Sequence, residues 1–193
     1  SLVLAAVCIL TAVLLLEPAV RLNGWPELDP NRLVDAGRTV TVRSPDGTEP
    51  DEPIYAANKI YVRLQELPEY TPQAFIAIED KRFYKHKGID YIRVAGAALK
   101  NIKSRSFKEG ASTISQQLIK NTHLTGEKTI KRKISEMRLA RALEREYEKD
   151  EILEIYLNIL YFGDNVYGIG SAGRTFFGKS AADLTVRESA MLA

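Results

Sequence analysis

Residues 127–148, EKTIKRKISEMRLARALEREYE, run without a Gly or Pro and carry apolar side chains on more than one side. Ile130, Ile134 and Met137 lie along one line and Leu139 and Leu143 along another, so this helix is expected in the middle of a fold rather than on its surface. Shorter helical patterns flank it. Upstream, Thr71-Pro72 offers an N-cap and first turn for a helix that packs Phe75, Ile76 and Ile78 inward up to Glu79-Asp80. Asp90 to Lys103 is amphipathic through Tyr91, Val94, Ala95, Ala98 and Leu99, and another helix begins at Ser112. Downstream, Glu151–Asn158, Tyr167–Phe176 and Thr185–Leu192 complete a mainly α-helical domain, with Gly163, Gly168, Gly170, Gly173 and Gly178 marking connections.

Before Pro68 the pattern changes. Leu2 to Leu16 is free of charge and ends at Glu17-Pro18. At about 1.5 Å per residue it covers roughly 22 Å of a ~30 Å hydrocarbon core, as expected for part of a transmembrane helix. A cleaved signal peptide is the competing reading, but no basic n-region and no small-x-small site accompany the run. Arg38–Arg43 and Lys59–Leu64 alternate as short strands do, with the turn signal Ser44-Pro45-Asp46-Gly47 between them. The expected organisation is an anchor at 1–16, an extracytoplasmic stalk with short strands at 17–67, and a helical domain at 68–193 that continues past Ala193.

The 193 residues carry 27 Lys and Arg against 25 Asp and Glu, a net charge of +2, which argues against the broad basic field of a nucleic-acid binder. The single cysteine, Cys8, excludes an internal disulfide and a Cys-based zinc site, and two histidines, His86 and His123, make a poor metal set.

Three segments could carry chemistry. In Glu79–Gly88 a carboxylate closes an apolar helix ahead of a loop with aromatics, one His and one Gly; it is either an acid–base group or part of a solvated charge cluster. Gly110–Asn121 places a Gly and two hydroxyls at a helix start, suited to sugar hydroxyls or an anion, or simply an N-cap. Lys128, Arg132 and Glu136 fall at i, i+4 and i+8 with Lys133 beside them. That row suits a pyrophosphate, or is a salt-bridge ladder contributing a few tenths of a kcal/mol per pair.

Taken in order, these segments resemble the peptidoglycan glycosyltransferase domain (glycosyltransferase family 51) of class A penicillin-binding proteins and monofunctional peptidoglycan glycosyltransferases. Glu79–Gly88 matches Glu-Asp-x-x-Phe-x-x-His-x-Gly, Gly110–Gln117 matches Gly-x-Ser-Thr-x-Thr/Ser-Gln-Gln, and Arg132–Glu136 matches Arg-Lys-x-x-Glu. Lys149–Asn158 and Arg174–Lys179 supply two more motifs. Lys128 stands where many relatives carry Arg, Ser115 where Thr is usual, and Thr175-Phe176-Phe177 replaces the commoner x-Tyr-Phe order.

The resemblance implies a lysozyme-like helical domain with a membrane-facing subdomain between the first two motifs. It implies that Glu79 is the general base on the 4-hydroxyl of the acceptor sugar of lipid II, and that Glu136 is a second acidic residue near the donor pyrophosphate. Ser112, Gln116 and Gln117 would line the sugar and phosphate path, with Lys120, Lys128, Arg132 and Lys133 as an electropositive wall. Asp80, Phe83, His86, Gly88, Asn158 and Arg174 would support these groups, and Glu154, Tyr156 and Asn158 read as scaffold. No cofactor is obligatory, no protein metal site is implied, and Mg or Mn is compatible with the pyrophosphate.

The expected partners are lipid II, the growing lipid-linked glycan strand, the membrane and cell-wall synthesis or division proteins, with no nucleic acid. The expected location is the bacterial cytoplasmic (inner) membrane, single-pass, with the catalytic domain outside. The basic and apolar mixture from Tyr91 to Lys108, including Arg93, suits either anionic headgroups or ordinary packing. Two rival functions are a muramidase, which also uses two carboxylates, and a silent scaffold that binds lipid II.

Overall fold

The long uncapped pattern from 127 narrows to a helix at Ile130–Glu146, because Thr129 takes the N-cap and its hydroxyl accepts from the Arg132 N–H at 3.1 Å. The computed structural model describes residues 25–37, 59–104, 112–127 and 129–193. In chain order the α-helices are α1 (Pro30–Gly37), α2 (Tyr70–Glu79), α3 (Tyr91–Ser104), α4 (Ile114–His123), α5 (Ile130–Glu146), α6 (Lys149–Ile159), α7 (Ile169–Phe177) and α8 (Val186–Leu192). The domain is mainly helical, as expected. Among the described residues there is no strand, only one isolated antiparallel bridge between Tyr161 and Tyr167. None of the described helices is long and apolar enough to cross a membrane. The Leu2–Leu16 run, Cys8, the Arg38–Arg43 alternation and the turn at Ser44–Gly47 lie outside the described residues, as do Gly110 and Lys128.

A main core holds most of the helices together, and a small second cluster of Ile89, Met137 and Val94 seats α3 on α5. α4 packs along α5 and α6, and α1 leans on α4 and α6. Ile114, Leu118, Ile119, Ala140, Leu143, Ile152, Leu153 and Leu157 are fully buried there, with Phe75 and Phe83 closing it from the α2 side. The central helix buries Met137, Leu139 and Leu143 as expected, but Ile130 is 82% exposed, because it is the first residue after the cap. Similarly α2 buries Phe75 while Ile78 is 56% exposed. Its start also differs from the expected cap: α2 begins at Tyr70, and Thr71 is buried, sharing a 2.9 Å hydrogen bond with Ser189 of α8. In α3, Val94 and Ala97 turn inward, whereas Tyr91 and Ala95 are exposed.

The strand expected at Lys59–Leu64 is absent, and the reason lies in its partners. The alternate N–H groups that a neighbouring strand would accept go instead to side chains on helices. Ile60 donates to Ser171 Oγ (2.8 Å), Val62 to Asn158 Oδ1 (2.9 Å) and Leu64 to Glu154 Oε2 (2.7 Å). Asn158 Nδ2 returns a bond to the Val62 carbonyl at 2.8 Å. Backbone groups buried here are thus satisfied without a sheet. Gly170 makes the approach possible, since a Cβ there would overlap the Ile60 carbonyl. With Leu33 of α1 and Val62 and Leu67 also in the core, two described parts of the region read as stalk pack onto the helical domain.

Candidate active site

The site is assembled around the first turns of α4. Thr113 caps that helix: its hydroxyl accepts from the Gln116 N–H at 3.2 Å, while the Gln116 side chain accepts from the Thr113 N–H at 3.0 Å. Gln116, expected along the substrate path, is therefore buried in the capping box. Gln117 and Ser112 are half-buried and reach the candidate groups instead. Gln117 Nε2 donates to Glu79 Oε2 at 2.7 Å, and Ser112 Oγ accepts from Lys133 Nζ at 3.0 Å. One helix start thereby joins the candidate base to the candidate phosphate wall.

Glu79 is the last residue of α2 and is half-buried. The residues after it fix its position. Asp80 is fully buried; its carboxylate accepts from His86 Nε2 (2.9 Å) and from the Ile114 N–H at the start of α4 (3.1 Å). A carboxylate at a helix N-terminus is favoured by the exposed N–H groups and the helix dipole. Phe83 is buried beneath this loop, with Lys149 Nζ 4.2 Å from its ring centre. Gly88 adopts φ +87°, where a Cβ would lie 2.7 Å from the Ala140 carbonyl oxygen, and its own carbonyl accepts from Thr113 Oγ1 at 2.7 Å. Asp80, Phe83, His86 and Gly88 thus form a clamp between α2, α4 and α5.

On α5, Glu136 is 2% exposed, and its two carboxylate oxygens are held by Arg132 (3.1 Å) and by Lys133. This is not a solvated ladder. Two cations on one buried carboxylate leave an excess of positive charge on this wall, and Lys133 also reaches Ser112. No group of three or more His, Cys, Asp or Glu suited to a metal occurs among the described residues. Lys120 is exposed in the last turn of α4. Asn158 lies away from solvent holding Val62, and Arg174 is exposed on α7, so the structure does not bring these two to the carboxylates' hydrogen-bond network.

Three participants escaped the sequence reading. Arg93, considered for lipid headgroups, donates to the main-chain carbonyl of Glu79. Glu144, with a side chain only 4% exposed, accepts from Ser115 and pairs with Lys149 at 2.7 Å. Tyr156, read as scaffold, donates to Gln117 Oε1 at 3.3 Å. Burial, with the charges of Glu79 and Asp80 adding to it, pushes the Tyr156 phenol well above its usual range. Apart from Glu144–Lys149, these contacts join residues 14 to 39 apart and leave no spacing signal.

Residues 48–193 match the family model described as Transglycosylase. The chain is 45% identical over 176 residues to penicillin-binding protein 1A/1B of Bacillus subtilis (strain 168), covering 91% of this chain and 19% of that protein. Penicillin-binding protein 1F of the same organism is 50% identical over 140 residues, covering 72% and 20%. Penicillin-binding protein 1A of Clostridium tetani (strain Massachusetts / E88) is 41% identical over 172 residues, covering 87% and 22%. The chain spans about a fifth of the length of these curated relatives. With the motif residues gathered at the start of α4 and a family match over most of its length, the chain belongs to the transglycosylase family.

Proposed function

We propose that this domain is a peptidoglycan glycosyltransferase that polymerises lipid II into glycan strands by inverting transfer, releasing undecaprenyl pyrophosphate. The observation that carries the reading is the start of α4, where Gln117 holds Glu79 and Ser112 meets the Lys133–Glu136–Arg132 cluster. Glu79 takes the proton from the acceptor 4-hydroxyl. The freed oxygen attacks C1 of the donor muramyl sugar, and the C1–O bond to the pyrophosphate breaks with its electron pair leaving on the phosphate. Lys120, Lys128, Arg132 and Lys133 neutralise that charge, with Glu136 holding the latter two cations in place. This cationic wall favours transfer over hydrolysis of a finished strand, which has no pyrophosphate to stabilise. A Mg or Mn ion on the pyrophosphate would add to the same neutralisation, and chelation measures its share.

The domain works on the outer face of the bacterial cytoplasmic membrane, tethered through the Leu2–Leu16 run. The exposed Tyr91 and Ile92 at the start of α3 (49% and 64%) give it an apolar surface for the bilayer. Its partners are the lipid-linked donor and growing strand, together with cell-wall synthesis or division proteins.

The test is Glu79→Gln, which keeps shape and removes the base. With purified lipid II the wild type yields polymer and free undecaprenyl pyrophosphate, and the variant loses on the order of a hundredfold or more while still binding a lipid-linked analogue. A wild type that shortens preformed strands and ignores lipid II is a muramidase. A wild type that binds lipid II without turning it over is a scaffold.

A further inference from the structure

We propose that Tyr156 is a positioning residue for Glu79, acting through the side-chain amide of Gln117; this rests on the glycosyltransferase reading above. Gln117 bridges Tyr156 and Glu79, and its two ends differ chemically. Its Nε2 donates to Glu79 Oε2 at 2.7 Å and its Oε1 accepts from the Tyr156 hydroxyl at 3.3 Å. A free amide can turn over and present its oxygen to the carboxylate, which repels it. The phenol opposes that flip.

Tyr156 is suited to the task. Its ring is 1% exposed within the core between α4 and α6, so its hydroxyl is delivered from a rigid base. Its raised pKa keeps the proton on the oxygen across the working range, and the phenol therefore acts as a donor. With the Tyr156 proton directed at Oε1, the NH2 group is left to face Glu79. One carboxylate oxygen, Oε2, is then held by the amide, and the acceptor's proton goes to Oε1. The Glu79 main chain is steadied separately, through Arg93 on its carbonyl and Asp80 on α4. The Tyr156–Gln117 pair is the part of the network that governs the carboxylate itself.

The experiment is a double-mutant cycle in the full-length protein, with lipid II polymerisation, thermal unfolding and the Gln117 side-chain amide NMR signals as readouts. Tyr156→Phe keeps the buried ring. It is expected to lower kcat about five- to tenfold, the scale of one neutral hydrogen bond, with KM and Tm little changed. The same change made in a Gln117→Ala background is expected to cost nothing further, and Tyr156→Phe alone should shift or broaden the Gln117 amide signals. An equal kcat loss in both backgrounds, a loss confined to KM, or unaltered amide signals overturns the proposal. A wild type that makes no polymer from lipid II refutes the glycosyltransferase reading, and the proposal with it. A polymerising wild type with an additive cycle refutes the positioning role alone.

Discussion

Asn158→Ala isolates the way the extended segment at 59–64 is held. The Asn158 side chain is 3% exposed and accepts from the Val62 N–H at 2.9 Å while donating to the Val62 carbonyl at 2.8 Å. Alanine removes both partners at once. Val62 is itself buried, so its N–H and C=O would be left unpaired at about 1–3 kcal/mol each. Some relaxation toward water at the neighbouring exposed residues trims this, and a total near 3 kcal/mol is the working expectation. For a domain of this size each kcal/mol moves Tm by roughly 2–4 °C, giving a fall of about 6–12 °C. Thermal and urea unfolding followed by circular dichroism measure the loss, and hydrogen exchange at the Ile60, Val62 and Leu64 amides locates it. Asn158→Asp is the companion variant: it keeps the acceptor but turns a carboxylate oxygen toward the Val62 and Glu154 carbonyls, and should be no better than alanine. A loss under about 1 kcal/mol, or a full loss with unchanged exchange at Val62, would refute the argument.

Gly88→Ala should destabilise the clamp by several kcal/mol, because φ +87° disfavours a side chain and the new Cβ would press on the Ala140 carbonyl; unfolding midpoints check it. Glu136→Gln removes the charge that holds Arg132 and Lys133 but keeps the shape, and should reduce polymerisation at least tenfold with a smaller change in Tm, read from initial rates and melting curves. His123 accepts from the Asp29 N–H at 3.0 Å in front of α1, and burial holds its pKa below the ordinary value. Its contribution to stability is therefore present above the unfolded-state pKa of about 6.5 and declines as pH falls through that value toward the folded one. Amide protection in residues 31–37, taken relative to the unstructured exchange rate at each pH, should fall on acidification, and His123→Gln should flatten that dependence.

The helices from 70 onward were legible because their apolar periodicity is local, and the motif residues Glu79, Gln117, Lys133 and Glu136 fall in two hydrogen-bonded groups that meet at the start of α4. What failed was anything set by a distant partner. Lys59–Leu64 has the alternation of a strand, yet its acceptors are Ser171, Asn158 and Glu154. Gln116 shares its motif with Gln117, but the helix cap claims it. Ile78 and Ile130 sit on the expected apolar lines, and their exposure follows from where each helix ends.

The extended segment also has a consequence for the order of events during synthesis. Its partners lie 90 to 111 residues downstream, and Thr71 waits 118 residues for Ser189. At about 5–20 residues per second, those groups emerge from the ribosome roughly 5–20 s later. Until then Ile60, Val62 and Leu64 have no native acceptors, and the N-terminal flank of the domain can dock only after α6 and α7 have been made. The chain is thus closed from its far end back to its beginning, a topology that favours slow folding.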